Sequence, residues 1–231
     1  MKTKVALPKG RLLTETARLL DSAGWGLDGY RLDAPIYHLT SPRFPNMQAK
    51  MFHERDIPVQ VAVGNYDLGI CGLDWVEELL VRYRSTDVVR VRDLGYGGGY
   101  LYAVTSPQFA GMTFDQMFAR RGEVRIASEY PNLAEAFALG SRLRRFRIFP
   151  LVGAAEVYPP ESADIAILRE EPGRFAAAGL VPLRKLLGFG ACVIANRASW
   201  ETKDLSEILA TLGGVAATKS TAPASEVATS V

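Results

Sequence analysis

Two cations straddle a glycine at Lys9-Gly10-Arg11, between a short apolar run ending at Leu7 and a helix-periodic stretch carrying Leu12, Leu13, Thr16, Leu19 and Leu20. A strand that ends in such a turn can offer a phosphate both a point charge and a bidentate fork. Positive charge at a helix start opposes the helix dipole, which weakens the alternative of a merely solvated pair. Glu129, Tyr130 and Asn132 surround Pro131 at a second strand-to-helix turn. A carboxylate there can hold ribose hydroxyls or magnesium; capping and turn chemistry account for Asn132 equally well. Asp74 stands where it would cap a helix running from Trp75 to Leu80, and Asp67 where an aspartate bonding its own backbone would close a turn. His38 and His53 lack the spacing of zinc ligands and read as surface or packing residues. The run Arg142, Arg144, Arg145 and Arg147 reads as a solvated face before an anion patch.

These side chains need a scaffold, and the same order of elements recurs three times. A strand, a turn and a helix are read around Lys9; a strand from Leu68 to Cys71 is followed by a helix after Asp74; a strand from Val124 to Ala127 leads through a turn at Ser128 to Asn132 into a helix ending at Gly140. Three such junctions predict an open α/β sheet, in which ligands gather outside the carboxyl ends of the strands.

The chain has 231 residues, 48% of them hydrophobic, enough to build two modest cores. Its 27 Lys and Arg against 25 Asp and Glu leave a formal charge of +2, which gives no general argument for nucleic acid or a membrane surface. No apolar run approaches the roughly 20 residues of a membrane span, and no apolar signal region opens the chain, so the cytoplasm is expected. Cys71 and Cys192 lie far apart inside apolar runs and read as structural thiols.

Four motifs occur in one order: LPKGRL (Leu7 to Leu12), RDIP with VGNYDLGICGLD (Arg55 to Pro58, Val63 to Asp74), RIASEYPN (Arg125 to Asn132) and VGAAEVYP (Val152 to Pro159). Together they resemble the ATP phosphoribosyltransferase family, which opens histidine biosynthesis. The resemblance implies a two-domain, periplasmic-binding-protein-like (type II) α/β fold with the active site in a cleft between the domains. A second pattern bears on the domains: Leu94-Gly95-Tyr96-Gly97-Gly98 is echoed by Leu187-Gly188-Phe189-Gly190-Ala191, each leading into an apolar strand. These are either two passages of the chain between domains or simply glycine-bearing strands; the resemblance favours passages. Domain I is then expected at 1–94 with 187–215, domain II at 95–186, and a disordered tail at 216–231, where small polar residues show no periodicity. The tail is too short for the regulatory domain of the family's long form. The resemblance therefore implies the short form, a homo-oligomer that works with a histidyl-tRNA-synthetase-like regulatory subunit.

The family's reaction joins adenine N1 of ATP to the ribose C1 of phosphoribosyl pyrophosphate and expels pyrophosphate, with magnesium accompanying the substrate and no metal ligated directly by the protein. Such chemistry asks mainly for positioning and for cations that stabilise the leaving group. By the resemblance Lys9, Arg11, Arg55, Glu129 and Glu156 are the catalytic candidates, Asp74 walls the nucleotide site, and Tyr130 is a substrate-binding candidate. Arg55 is open to a plainer reading, pairing with Asp56 or Glu54.

One stretch departs from the family. Where a Thr-Gly-Thr-Thr-type turn would hold the 5-phosphate, this chain reads Leu168-Arg169-Glu170-Glu171-Pro172-Gly173-Arg174-Phe175. The hydroxyls are gone, Pro172 has no N–H, and two carboxylates stand where a dianion would sit, a repulsion on the order of several kcal/mol in a partly dry site. Arg169 and Arg174 can offset it by pairing with the glutamates or by taking the phosphate themselves, so Arg169, Gly173 and Arg174 are the substrate-contact candidates of this loop. Two functions follow: an ATP phosphoribosyltransferase with a rebuilt phosphate site, or a non-catalytic paralogue that binds a nucleotide or small anion, or that regulates an active homologue. An extracytoplasmic solute-binding protein is the weaker third reading, for want of an export signal.

Overall fold

The computed structural model describes residues 2–33, 37–83 and 87–213; the tail expected at 216–231 lies outside them. In chain order the elements are β1 (Thr3–Lys9), α1 (Leu13–Ser22), β2 (His38–Thr40), β3 (Met47–His53), α2 (Ile57–Ala62), β4 (Leu68–Gly72), α3 (Leu73–Arg82), β5 (Val88–Asp93) and β6 (Gly99–Thr105). There follow α4 (Phe114–Arg121), β7 (Val124–Ser128), α5 (Pro131–Gly140), β8 (Phe146–Pro150), β9 (Ile165–Arg169), α6 (Arg174–Ala177), β10 (Val181–Phe189), β11 (Ala191–Asn196), α7 (Arg197–Thr202) and α8 (Ser206–Thr211).

The chain divides into two compact units. One takes the described residues up to Gly98 and those from Phe189 onward, and the other is Gly99–Gly188. The divisions come a few residues later than the expected 94 and 186, within the two glycine-bearing segments.

The first unit is built on a six-stranded sheet in the order β2-β3-β1-β4-β11-β5. Strands β3, β1 and β4 run parallel, while β11 is antiparallel to β4 and β5. Strands covered by helices should be continuously apolar; β1 is buried from Val5 to Pro8 and β4 is buried throughout. Leu7, Leu20, Trp25, Met47, Leu68 and Ile70 belong to the resulting core. Cys71 and Cys192 face each other across β4 and β11, both free thiols and both buried. Burial pushes the Cys71 thiol well above its usual range, which keeps it protonated and unreactive.

The second unit carries a five-stranded sheet in the order β10-β6-β9-β7-β8. Here β8, β7 and β9 run parallel and β6 is antiparallel to β9. Val104, Ala155, Ala166, Leu168 and Leu180 form one of its apolar clusters, with Tyr102 and Phe175 packed against it.

Candidate functional site

In each sheet the candidate residues collect at the carboxyl ends of parallel strands, where open α/β sheets bind ligands. In the first unit Lys9 of β1 pairs in register with His53 of β3, which sets the Lys9-Gly10-Arg11 turn beside the Glu54-Arg55-Asp56 turn. Gly10 makes the turn possible with φ +98°, a conformation that side-chain-bearing residues avoid. Lys9 Nζ lies 4.8 Å from the Tyr37 ring centroid, a cation–π contact.

Arg11 is held more firmly. Its Nη2 donates to Glu54 Oε2 at 2.8 Å and its Nη1 to the Gly97 carbonyl at 2.8 Å. Asp74 Oδ1 lies 3.5 Å from the same Nη2, and the guanidinium sits 5.2 Å from the Phe189 ring centroid. Glu54 Oε1 also accepts the Leu12 N–H at 3.0 Å. Burial pushes the Glu54 carboxyl above its usual range; the Arg11 guanidinium and the Leu12 N–H pull it down, and the Asp74 carboxylate adds to the rise.

Several residues sit otherwise than the sequence suggests. Asp74 does not cap its helix: α3 starts at Leu73 with Gly72 as N-cap, and the Asp74 side chain is fully buried beside Arg11. Asp67 is no local turn residue, since its carboxylate takes Lys4 N–H, Ser199 Oγ and Lys203 Nζ at 2.6–2.8 Å. Asn132 falls inside α5, whose N-cap is Tyr130. Arg55 approaches Asp56 at 3.6 Å, both side chains half exposed, while Glu54 turns to Arg11.

In the second unit β7 ends at Ser128, whose Oγ accepts the Tyr130 N–H at 2.8 Å. Glu129 is partly exposed at this turn. Tyr130 is 1% exposed. After β8 the chain passes through Gly153 and Ala154, both at positive φ, into a 3-10 turn bearing Glu156. Arg174 joins this turn to the loop after β9: Nη2 donates to Glu156 Oε2 and Nη1 to Glu171 Oε1, each at 2.9 Å. Burial raises the Glu156 carboxyl, but its own backbone N–H and Arg174 outweigh that and hold it below the usual range.

The discordant loop itself is compact. Leu168 is buried in the apolar cluster beside Phe175, and Arg169 pairs in register with Leu101. The Glu170 N–H is spent on the Tyr100 carbonyl at 2.8 Å and the Arg174 N–H on the Glu171 carbonyl at 3.0 Å. Gly173 turns the chain at φ +75° into the four-residue α6. Of the basic run, the exposed Arg144 lies 3.6 Å from Asp115 and the exposed Arg147 3.4 Å from Glu123. Among the described residues no three His, Cys, Asp or Glu side chains converge as a metal site would require, and no helix is long and apolar enough to cross a membrane.

This arrangement matches a known family over most of its length. The sequence model described as HisG: ATP phosphoribosyltransferase matches residues 53–214. The chain belongs to the ATP phosphoribosyltransferase family. An ATP phosphoribosyltransferase of Moorella thermoacetica is 30% identical over 203 residues, covering 85% of this chain and 84% of its own. One from Symbiobacterium thermophilum is 32% identical, covering 86% and 87%. In fold, the chain is similar to the ATP phosphoribosyl transferase (HisG:HisZ) complex structure from Thermotoga maritima, with a TM-score of 0.74 at 23% identity over 91% of this chain and 96% of that one. The alkanesulfonate-binding protein SsuA of Xanthomonas axonopodis follows with a TM-score of 0.51 at 18% identity, over 91% and 71%. The family fold is thus the α/β, periplasmic-binding-protein-like architecture.

Proposed function

We propose that this chain is the catalytic subunit of an ATP phosphoribosyltransferase, joining ATP N1 to the ribose C1 of phosphoribosyl pyrophosphate. The carrying observation is family membership over residues 53–214, supported by cations and carboxylates at the carboxyl ends of parallel strands in both units. As N1 attacks, the bond from C1 to the pyrophosphate oxygen breaks and the ribose passes through an oxocarbenium-like state. What the protein supplies is orientation and positive charge at the departing oxygens.

In this reading Lys9, Arg11 and Arg55 face pyrophosphate, Asp74 walls the nucleotide site, and Glu129 takes ribose hydroxyls. Arg174, oriented by Glu156, takes the 5-phosphate with Arg169 and the Gly173 turn. Magnesium arrives on phosphoribosyl pyrophosphate, as part of the substrate. A HisZ-like regulatory subunit and self-association complete the proposal, the first supported by the likeness in fold to the chain of a HisG:HisZ complex.

One observation favours a second reading. Arg174 is already claimed by two carboxylates, and two of the loop's N–H groups are spent within the unit. A non-catalytic paralogue that binds a nucleotide would tolerate such a loop. Calorimetric titration with magnesium and phosphoribosyl pyrophosphate, with ATP in parallel, separates the two. The enzyme binds both, and Arg174→Ala loses phosphoribosyl pyrophosphate at least tenfold while sparing ATP. Binding of ATP alone, or an unchanged titration in Arg174→Ala, rejects the rebuilt phosphate site.

A further inference from the structure

Phosphoribosyl transfer as set out above gives no task to Glu54, one of the more deeply placed acids of the first unit at 7% exposure. A carboxylate at that depth is costly unless its oxygens are satisfied. Each oxygen of Glu54 has its own donor: Oε1 the Leu12 N–H, Oε2 the Arg11 guanidinium. The side chain thus grips the residue that opens α1 and the cation that precedes it.

The guanidinium is fixed on other sides as well. Nη1 reaches the Gly97 carbonyl, Cζ lies 5.2 Å from the Phe189 ring centroid, and Asp74 stands within ion-pair range. Gly97 and Phe189 belong to the two segments by which the chain leaves and re-enters this unit. Arg11 is therefore tied to the ends of β3 and β4 and to both of those segments. Lys9 differs: its described contact is the Tyr37 ring, and four rotatable bonds leave its charge free to follow a ligand.

We propose that Glu54 is a positioning residue, which locks Arg11 and the start of α1 into one rigid piece so that the guanidinium meets the departing pyrophosphate in a preset orientation. The role in turnover rests on the phosphoribosyl-transfer reading; the locking of Arg11 does not. A fork held in place before the substrate arrives spends no rotamer freedom in the transition state. Lys9 supplies the adjustable charge beside it.

The test uses the full chain, with its regulatory partner where turnover needs one. Glu54→Gln keeps an amide oxygen for the Leu12 N–H and removes the charge that holds Arg11. Nitrogen NMR of the arginine side chains should show slow rotation of the Arg11 guanidinium in the wild type and fast rotation in Glu54→Gln. kcat should fall about 30-fold in Glu54→Gln, with KM for ATP within about threefold, since a misplaced catalytic group costs up to about a hundredfold. In an Arg11→Lys background the same change should cost less than about threefold, because residues acting as one unit are not additive. Losses that multiply across the two backgrounds make Glu54 a general structural acid and overturn the proposal, as does unchanged turnover in Glu54→Gln. If the wild type turns over no substrate, the transfer reading falls instead, and free rotation of Arg11 in the wild type then rejects the locking by itself.

Discussion

Asp67 is 4% exposed and collects a backbone N–H, a hydroxyl and an ammonium. Burial raises its carboxyl, but the Lys203, Ser199 and Lys4 donors outweigh burial and set it below the ordinary aspartate range. Truncation strands those donors, so Asp67→Ala should lower unfolding free energy by roughly 2–4 kcal/mol in urea titration. The sign with pH follows from the depressed value. Stability from this residue is complete above its unfolded pKa, about 3.9, and is lost as pH falls through the lower folded value. Below about pH 4 the wild-type stability curve should therefore be steeper than that of Asp67→Asn; parallel curves would contradict the assignment. None of this was legible in Asn65-Tyr66-Asp67, which reads as a turn, because two of the donors lie more than a hundred positions downstream. Lys9 and Arg11 were legible, since the glycine between them and the apolar run before them are local signals. Glu54 was visible only as a possible neighbour of Arg55, because its choice of Arg11 depends on β3 lying beside β1.

Elements were legible where burial is two-sided. The run that forms β4 is continuously apolar, that of β1 is apolar at its centre and that of β7 is interrupted by Arg125, and each was found within two residues. Strand β10 was not. It lies at the edge of its sheet and carries Pro182, tolerated at an edge, so its burial is partial, and Leu187-Gly188-Phe189 reads either as a passage between domains or as a glycine-bearing strand. The junction of β4 and α3 gives the sharper test of packing at this scale. A Cβ on Gly72 would collide with the Asp74 carboxylate and come within 2.7 Å of Arg11 Nη2. The φ of −76° there is open to any residue, so backbone strain plays no part in Gly72→Ala. The variant should fold, lose about 1–3 kcal/mol by overpacking, and displace Arg11. Turnover should then fall at least tenfold while far-ultraviolet circular dichroism stays unchanged. A variant as active as the wild type would show that Arg11 and Asp74 yield without consequence.

At the scale of the whole chain, both sheets follow one plan. β3-β1-β4 and β8-β7-β9 are parallel triplets, each followed by an antiparallel strand, β11 or β6, that starts just after a unit boundary. Each unit therefore owns a complete sheet. The ends left by cutting at the boundaries also meet. In the first unit the Ala191 N–H reaches the Tyr96 carbonyl at 2.8 Å and the Leu94 N–H the Ala191 carbonyl at 2.9 Å. In the second, β6 and β10 are neighbouring strands. Replacing Gly99–Gly188 by two glycines should consequently leave a first unit that folds alone, because the loop closed is short and no ladder of that sheet is lost. Dispersed amide resonances and a single cooperative urea transition, with a slope smaller than that of the whole chain, are the expected result. A molten product would mean that the first sheet needs the second unit for its stability. Glu54, Arg11, Gly97 and Phe189 all remain in the shortened chain, so slow rotation of Arg11 should survive there too.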